Sequence, residues 1–176
     1  MSVVPKADIR SMEEKFVVLC KAADRVGRFF AANLRNLLSG IAAFLAIASV
    51  AAPILILLGF DSFGAGVYTA LSYVCHQERG RCLSLGGAAF GICSRCFGGY
   101  VAFYGASRVF TPRRRISRHV HLVIRVAFAL ALADALLQLL GVYHTGNIPR
   151  LASGLALGIG FGRIAFTFVS TMEGIE

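Results

Sequence analysis

Leu37–Phe60 contains no charged residue, and three further stretches come close to that. Gly86–Phe110 is apolar apart from Arg95 and Arg108. Val120–Val142 carries Arg125 near its start and Asp134 further in, and Leu151–Ser170 contains only Arg163. About 20 residues of helix cross a hydrocarbon core of about 30 Å. Each stretch has that reach, so the chain reads as all-α. The expected fold is an integral membrane bundle of four transmembrane helices, spanning about 37–60, 86–110, 120–142 and 151–170. Composition agrees, with 57% hydrophobic residues against 15% charged and a mean hydropathy of +0.71. A soluble domain of 176 residues would need far more polar surface.

The first run does not read as a leader. It is longer than a signal-peptide apolar region and follows a stretch carrying Asp8, Glu13, Glu14 and Asp24. It is expected to stay as an anchor.

Charge orients the bundle. Seven basic residues precede the first span: Lys6, Arg10, Lys15, Lys21, Arg25, Arg28 and Arg35. Six more flank or fill the link from the second span to the third: Arg108, Arg113, Arg114, Arg115, Arg118 and Arg125. The other two links hold only Arg79 and Arg81, and Arg150. The positive-inside rule then puts both termini on the cytoplasmic side of a cytoplasmic (inner) membrane. Topology accounts for most of the net +9, and no nucleic-acid partner is expected.

Residues 1–36 form an arm distinct from the 37–176 membrane domain. Ile9, Met12, Phe16, Leu19, Ala23, Val26, Phe30 and Leu34 recur at three- and four-residue steps. That is the stripe of an amphipathic helix with basic residues on much of its remaining surface. It suits either the anionic surface of the lipid bilayer or a partner subunit. The segment DSFGAGVYTALSYV is apolar but too short to cross, and reads as an interfacial or re-entrant helix delivering Cys75 to the outer surface. Gly87 and Gly91 make one GxxxG step; Gly154, Gly158 and Gly162 make a double one. Such steps let helix backbones approach closely, within the chain, in a homo-oligomer or against other membrane subunits.

Chemistry concentrates between Cys75 and Cys96. Cys75, His76, Cys93 and Cys96 offer four potential ligands within 22 residues, with Cys82 between them. On a helix, Cys93 and Cys96 project from one face at i, i+3. Three readings stay open. The group can hold zinc or an iron–sulfur cluster, form a disulfide or exchange pair, or pack as quiet buried thiols. Asp134 and Arg95 come to similar depths, roughly 12–14 Å from the outer ends of their spans. An unpaired charge there is costly, so the two are expected to pair, with Gln138 one turn along joining them. Arg163 lies nearer the cytoplasmic end and can snorkel.

These residues carry a resemblance. Cys75-His76-Gln77 followed by Arg81, then Cys93, Arg95, Cys96, Gly98 or Gly99 and Tyr100, resemble the CHQ and CxRC-x-G-x-Y pattern of prokaryotic membrane proteins grouped as domain of unknown function 2085. Asp134, Gln138, Asn147, Arg150 and Gly154 continue the match, which covers roughly residues 70 to 165. Cys82 stands where that family more often has serine, which implies that the shared function does not need it. The resemblance implies a membrane protein with a polar outer cluster and supplies no activity.

Two functions remain in view. In the first, Cys75, His76, Cys93 and Cys96 hold a transition metal, zinc or iron–sulfur, supported by Arg95, Asp134 and Gln138, in an accessory subunit of a larger redox complex. In the second, the chain is a thiol–disulfide oxidoreductase whose Cys93/Cys96 pair passes electrons between outer thiols and a membrane quinone. An ion carrier working through Asp134 is disfavoured by that residue's arginine partner.

Overall fold

The computed structural model describes residues 6–111 and 117–172. The triplet Arg113–Arg115 lies outside them. The described residues form five α-helices, a 3-10 turn and one β-hairpin: α1 (Lys6–Leu57), α2 (Asp61–Ser72), the 3-10 turn (Arg79–Arg81), β1 (Cys82–Leu85), β2 (Ala88–Cys93), α3 (Ser94–Val109), α4 (Arg118–Leu139) and α5 (Asn147–Met172).

Three segments are long and apolar enough to cross a membrane: Asn33–Leu57, Arg118–Leu139 and Asn147–Thr171. From Lys6 to Leu57 the arm and the first apolar run share one unbroken helix, α1. Pro53 sits inside it, fully buried, where its missing N–H leaves the Ser49 carbonyl without the usual helical bond. The helix stops at a left-handed Gly59 (φ +83°), where Phe60 N–H bonds the Leu55 carbonyl at 2.9 Å and Gly59 N–H bonds that of Ile56 at 3.0 Å. α4 stops the same way at Gly141, with Val142 bonding back to Leu137. A glycine after the last turn lets the chain reverse without a Cβ clash while satisfying terminal carbonyls.

The all-α expectation needs one correction. The run expected to be a span over 86–110 begins as a hairpin. Gly86 and Gly87 both have positive φ (+56° and +85°), the two-residue turn that joins antiparallel strands. Cys82 then pairs with Cys93, and Leu85 with Ala88. Leu83, Leu85, Phe90 and Ile92 are apolar enough for either conformation, and an apolar run alone does not separate strand from helix. The helical remainder, α3, has 16 residues and is about 24 Å long. Gly87 and Gly91 therefore form no helical ridge. Gly91 instead lets β2 lie against Leu71 of α2 and Ser49 of α1, where a Cβ would have no room.

The glycines of α5 act within the chain. A Cβ on Gly154 would strike the Arg95 carbonyl, one on Gly158 the Gly99 carbonyl, and one on Gly162 the Ala106 side chain. Gly98 of α3 faces the Leu151 carbonyl in the same manner. The two helices touch backbone to backbone, giving the most extensive interhelical contact in the molecule. α4 meets the rest chiefly through α5, and most of its surface remains exposed. At the opposite end from the hairpin, Arg35 of α1 donates to the carbonyls of Phe110 (3.1 Å), Ser107 and Phe166 (3.4 Å each) and to Ser170 Oγ (2.9 Å). It ties the C-terminal ends of α3 and α5 to α1, where helix dipoles favour a cation.

Candidate metal centre

α2, β2 and α3 each bring one cysteine to the same point. Cys75 follows α2 by three residues, its N–H bonded to the Leu71 carbonyl at 3.1 Å. Cys93 closes β2 and caps α3; Cys96 lies in the first turn of α3. The two therefore sit at the entrance of a helix and not, as expected, on one face within a helical span, because β2 occupies the residues before Ser94. Their three sulfurs lie within 4.8 Å of one another. All are free thiols, Cys75 buried and the others half-buried. Leu71 and Ile92 pack around them, with Leu45 and Ala48 of α1 behind.

Gln77 shapes the approach. It adopts a left-handed backbone (φ +51°), and its Nε2 donates to the carbonyls of Tyr68 (2.6 Å) and Gly91 (2.8 Å). That clamp fixes the turn carrying Cys75 against β2. Tyr68 adds a hydroxyl donated to the Ala89 carbonyl. Cys93 N–H donates to Cys75 Sγ at 3.3 Å. Donation from the Cys93 thiol, then from Cys96 and this N–H, holds Cys75 well below the ordinary thiol range. The contact with Cys75, helped by burial, pushes Cys93 up. Of the two, Cys75 is thus the one that ionises first.

Cys82 stands beside the group without entering it. It is buried at 4% exposure, and its thiol donates to the Glu78 carbonyl at 3.3 Å. Burial pushes it up to about 11, helped by Cys93, Cys75 and Glu78. His76 is exposed and is not among the ligand atoms that converge. His119 and His144 are exposed as well, and His121 is half-buried; none joins the group.

The charged cluster lies on the other side of the first turn of α3. Arg95 Nη2 pairs with Asp134 Oδ2 at 2.8 Å, and Arg95 Nε donates to Ser153 Oγ at 3.2 Å. Gln138 Nε2 donates to Asp134 Oδ1 and to Thr145 Oγ1, and the Tyr143 hydroxyl also donates to Asp134. None of the described hydrogen bonds joins Arg95, Asp134 or Gln138 to a thiol. Sequence reasoning missed Tyr143, Thr145 and Ser153; it named Asn147 through the resemblance but not its bond, Nδ2 donating to the Cys82 carbonyl at 2.9 Å. Asn147 and Arg150 belonged to the resemblance and so had a signal; a serine or threonine in an apolar run has none.

The model of the family described as "Predicted membrane protein (DUF2085)" matches residues 75–164, just over half of the chain. The chain belongs to that family. This DUF2085 protein is also 33% identical over 90 residues to an "Uncharacterized protein" of Methanothermobacter thermautotrophicus, an alignment covering 50% of this chain and 80% of the relative. No solved structure matches it. The family match begins at Cys75 and takes in all three convergent thiols, the Arg95–Asp134 pair and the α3–α5 contact. In this DUF2085 protein the first 74 residues, which include all of α1 and α2, lie outside it.

Proposed function

We propose that this protein holds a single transition-metal ion at Cys75, Cys93 and Cys96, on the outer side of a cytoplasmic-membrane bundle. The convergence of three sulfurs from three elements carries the reading. Two thiolates on tetrahedral zinc, at about 2.3 Å each, stand about 3.8 Å apart. Sulfurs already within 4.8 Å reach that by small side-chain rotations. Three thiolates leave a fourth position for water, for a partner's group or for His76 after a change of rotamer. That count suits zinc better than a cluster held by four cysteines.

In this reading α3 makes a fourth, short crossing, and the hairpin lies at the outer surface. Arg35 supports it, because its contacts gather the C-terminal ends of α3 and α5, with Arg108 on the former, at the start of the α1 membrane segment. Both termini then face the cytoplasm. The arm of α1, with Val17, Val18 and Leu19 exposed, is a surface for lipid or for a partner subunit in a redox complex. Arg95, Asp134 and Gln138 act at a remove, setting the position of the first turn of α3 and so of Cys96.

One observation favours a second reading, a thiol–disulfide oxidoreductase that passes its electrons to a quinone. A cleft of about 390 Å³ opens between α1, α3 and α5, lined by Ile41, Phe103 and Leu157 and ending at Cys96, Arg95 and Tyr100. Oxidation of the Cys93 and Cys96 thiols to a disulfide would pass two electrons and two protons to a quinone seated there, releasing quinol.

The deciding experiment is anaerobic purification in mild detergent, with metals measured by elemental mass spectrometry and free thiols counted on the same sample. Stoichiometric metal that disappears in the Cys93→Ser/Cys96→Ser variant is expected. A metal-free protein with a dithiothreitol-reducible bond between two of the three cysteines would overturn the metal reading in favour of the quinone one.

A further inference from the structure

Two arginines at the far end of the molecule face a cleft with no acid in it. Phe128 of α4 packs into the space left by Gly160 of α5, where a Cβ would overlap its ring, and meets Phe161 edge-on at 5.0 Å between centroids. Beside that crossing a cleft of about 520 Å³ opens, lined by Ile124, Ile164 and Phe168, with Arg125 on one wall and Arg163 on the other. The two positive charges repel each other across it. Among the described residues the ion pairs are Arg81–Glu78 and Arg95–Asp134, and neither Arg125 nor Arg163 has one.

Their depth makes this informative. Arg125 lies seven residues into α4, and Arg163 nine residues before the end of α5, which is about 10 and 14 Å. Unpaired cations inside apolar segments cost several kcal/mol each unless a counter-charge meets them. Arginine stems can run along apolar lining and carry the guanidinium toward the interface. Ile164 and Phe168, both 60% exposed, continue the wall outward as a surface suited to acyl chains.

We propose that this cleft binds an anionic phospholipid, its phosphate between Arg125 and Arg163 and its chains against Ile124, Ile164 and Phe168. Guanidinium groups form paired, charge-assisted hydrogen bonds to phosphate oxygens. The lining is apolar where a free anion would gain nothing, and it opens on the lipid-facing side of α4 and α5. The site is independent of the thiols at the other end.

The test uses the full chain in detergent, with phosphatidylglycerol, phosphatidylcholine of the same chains and inorganic phosphate as probes. Retention is read by native mass spectrometry, and stability by the thermal midpoint. Phosphatidylglycerol should stay bound and raise the midpoint, while the other two do not. R125Q/R163Q should weaken its retention about tenfold, as loss of a charge-assisted pair does. R113Q/R114Q/R115Q, which empties another basic segment, should leave it unchanged. If the glutamine double variant fails to fold, R163K, which keeps the charge and loses the fork, must still retain the lipid less well. Equal binding of phosphatidylcholine, an equal effect of inorganic phosphate, or undiminished retention in R125Q/R163Q and R163K would each overturn the assignment.

Discussion

Cys93 gives its backbone N–H to the sulfur of Cys75 across 3.3 Å, so the end of a strand and the exit of a helix are fastened through a side chain that also points at Cys96. Serine at position 75 would shorten the ligand and exchange thiolate for hydroxyl. Cys75→Ser should lose bound metal by more than the ~10–100-fold typical of removing a supporting residue. Cys82→Ser, removing the thiol that bonds the Glu78 carbonyl instead, should keep it. Metal content of the two variants, purified in parallel, checks the contrast. Equal loss in both would mean that Cys82 is a ligand.

Cys82 also makes a statement about pH. Its thiol is pushed up to about 11 by burial and by its thiol and carboxylate neighbours, so the neutral form persists across the physiological range. At pH 8 about one molecule in a thousand carries the thiolate at this position. Alkylation of Cys82 should therefore rise about tenfold per pH unit and level off only near the titration point. Peptide mass spectrometry after timed labelling would show it. A flat profile from pH 7 upward would mean that the thiol ionises normally.

Asp134 accepts hydrogen bonds from Arg95, Gln138 and Tyr143, and removing it strands a cation between helices. Asp134→Ala should cost roughly 2–4 kcal/mol, and Arg95→Ala a similar amount. The double variant should cost clearly less than the sum, because it leaves neither charge alone. Denaturation in mixed detergent micelles measures all three. Additive losses would mean that the pair is not coupled.

Gly158 and Gly105 separate close approach from mere helix composition. A Cβ at Gly158 meets the carbonyl of Gly99, whereas one at Gly105 meets nothing within 4 Å. Gly158→Ala should destabilise by about 1–3 kcal/mol as α3 and α5 are pried apart. Gly105→Ala should be neutral or stabilise by up to about 1 kcal/mol through helix propensity. The same unfolding assay compares them. Equal effects would mean that the α3–α5 contact is looser than the structure gives it.

What could be read in advance followed the type of signal. The apolar runs at 37–60, 120–142 and 151–170 mark helices because length and hydropathy are local properties. Arg95 and Asp134 could be matched because depth along a helix is simple counting, and the two meet at 2.8 Å. The hairpin was hidden because Leu83, Leu85, Phe90 and Ile92 serve a strand or a helix equally well. Its one clue was the Gly86-Gly87 pair, a hairpin turn sequence that the helical reading absorbed as part of a span. Arg35 was counted with the topogenic charges; its role as a cap on three carbonyls exists only once α1, α3 and α5 have come together. The convergence of the cysteines was legible as proximity in sequence. Its membership was not, because the orientation of Cys82 and the exposure of His76 are set by strand register and by the turn at Gln77.

The unbroken course of α1 has a mechanical consequence. From Lys6 to Leu57 it measures about 78 Å, of which Asn33–Leu57 is about 37 Å. No glycine turn or proline joint interrupts the first 40 residues described, since Pro53 is the one proline in the helix. The arm therefore continues the membrane segment as one helix, with no proline joint between them. Ser49, on the same helix as Val17, Val18 and Arg35, lies against the strand that carries Cys93. The helix that bears the arm is also the one against which the thiol-bearing strand rests.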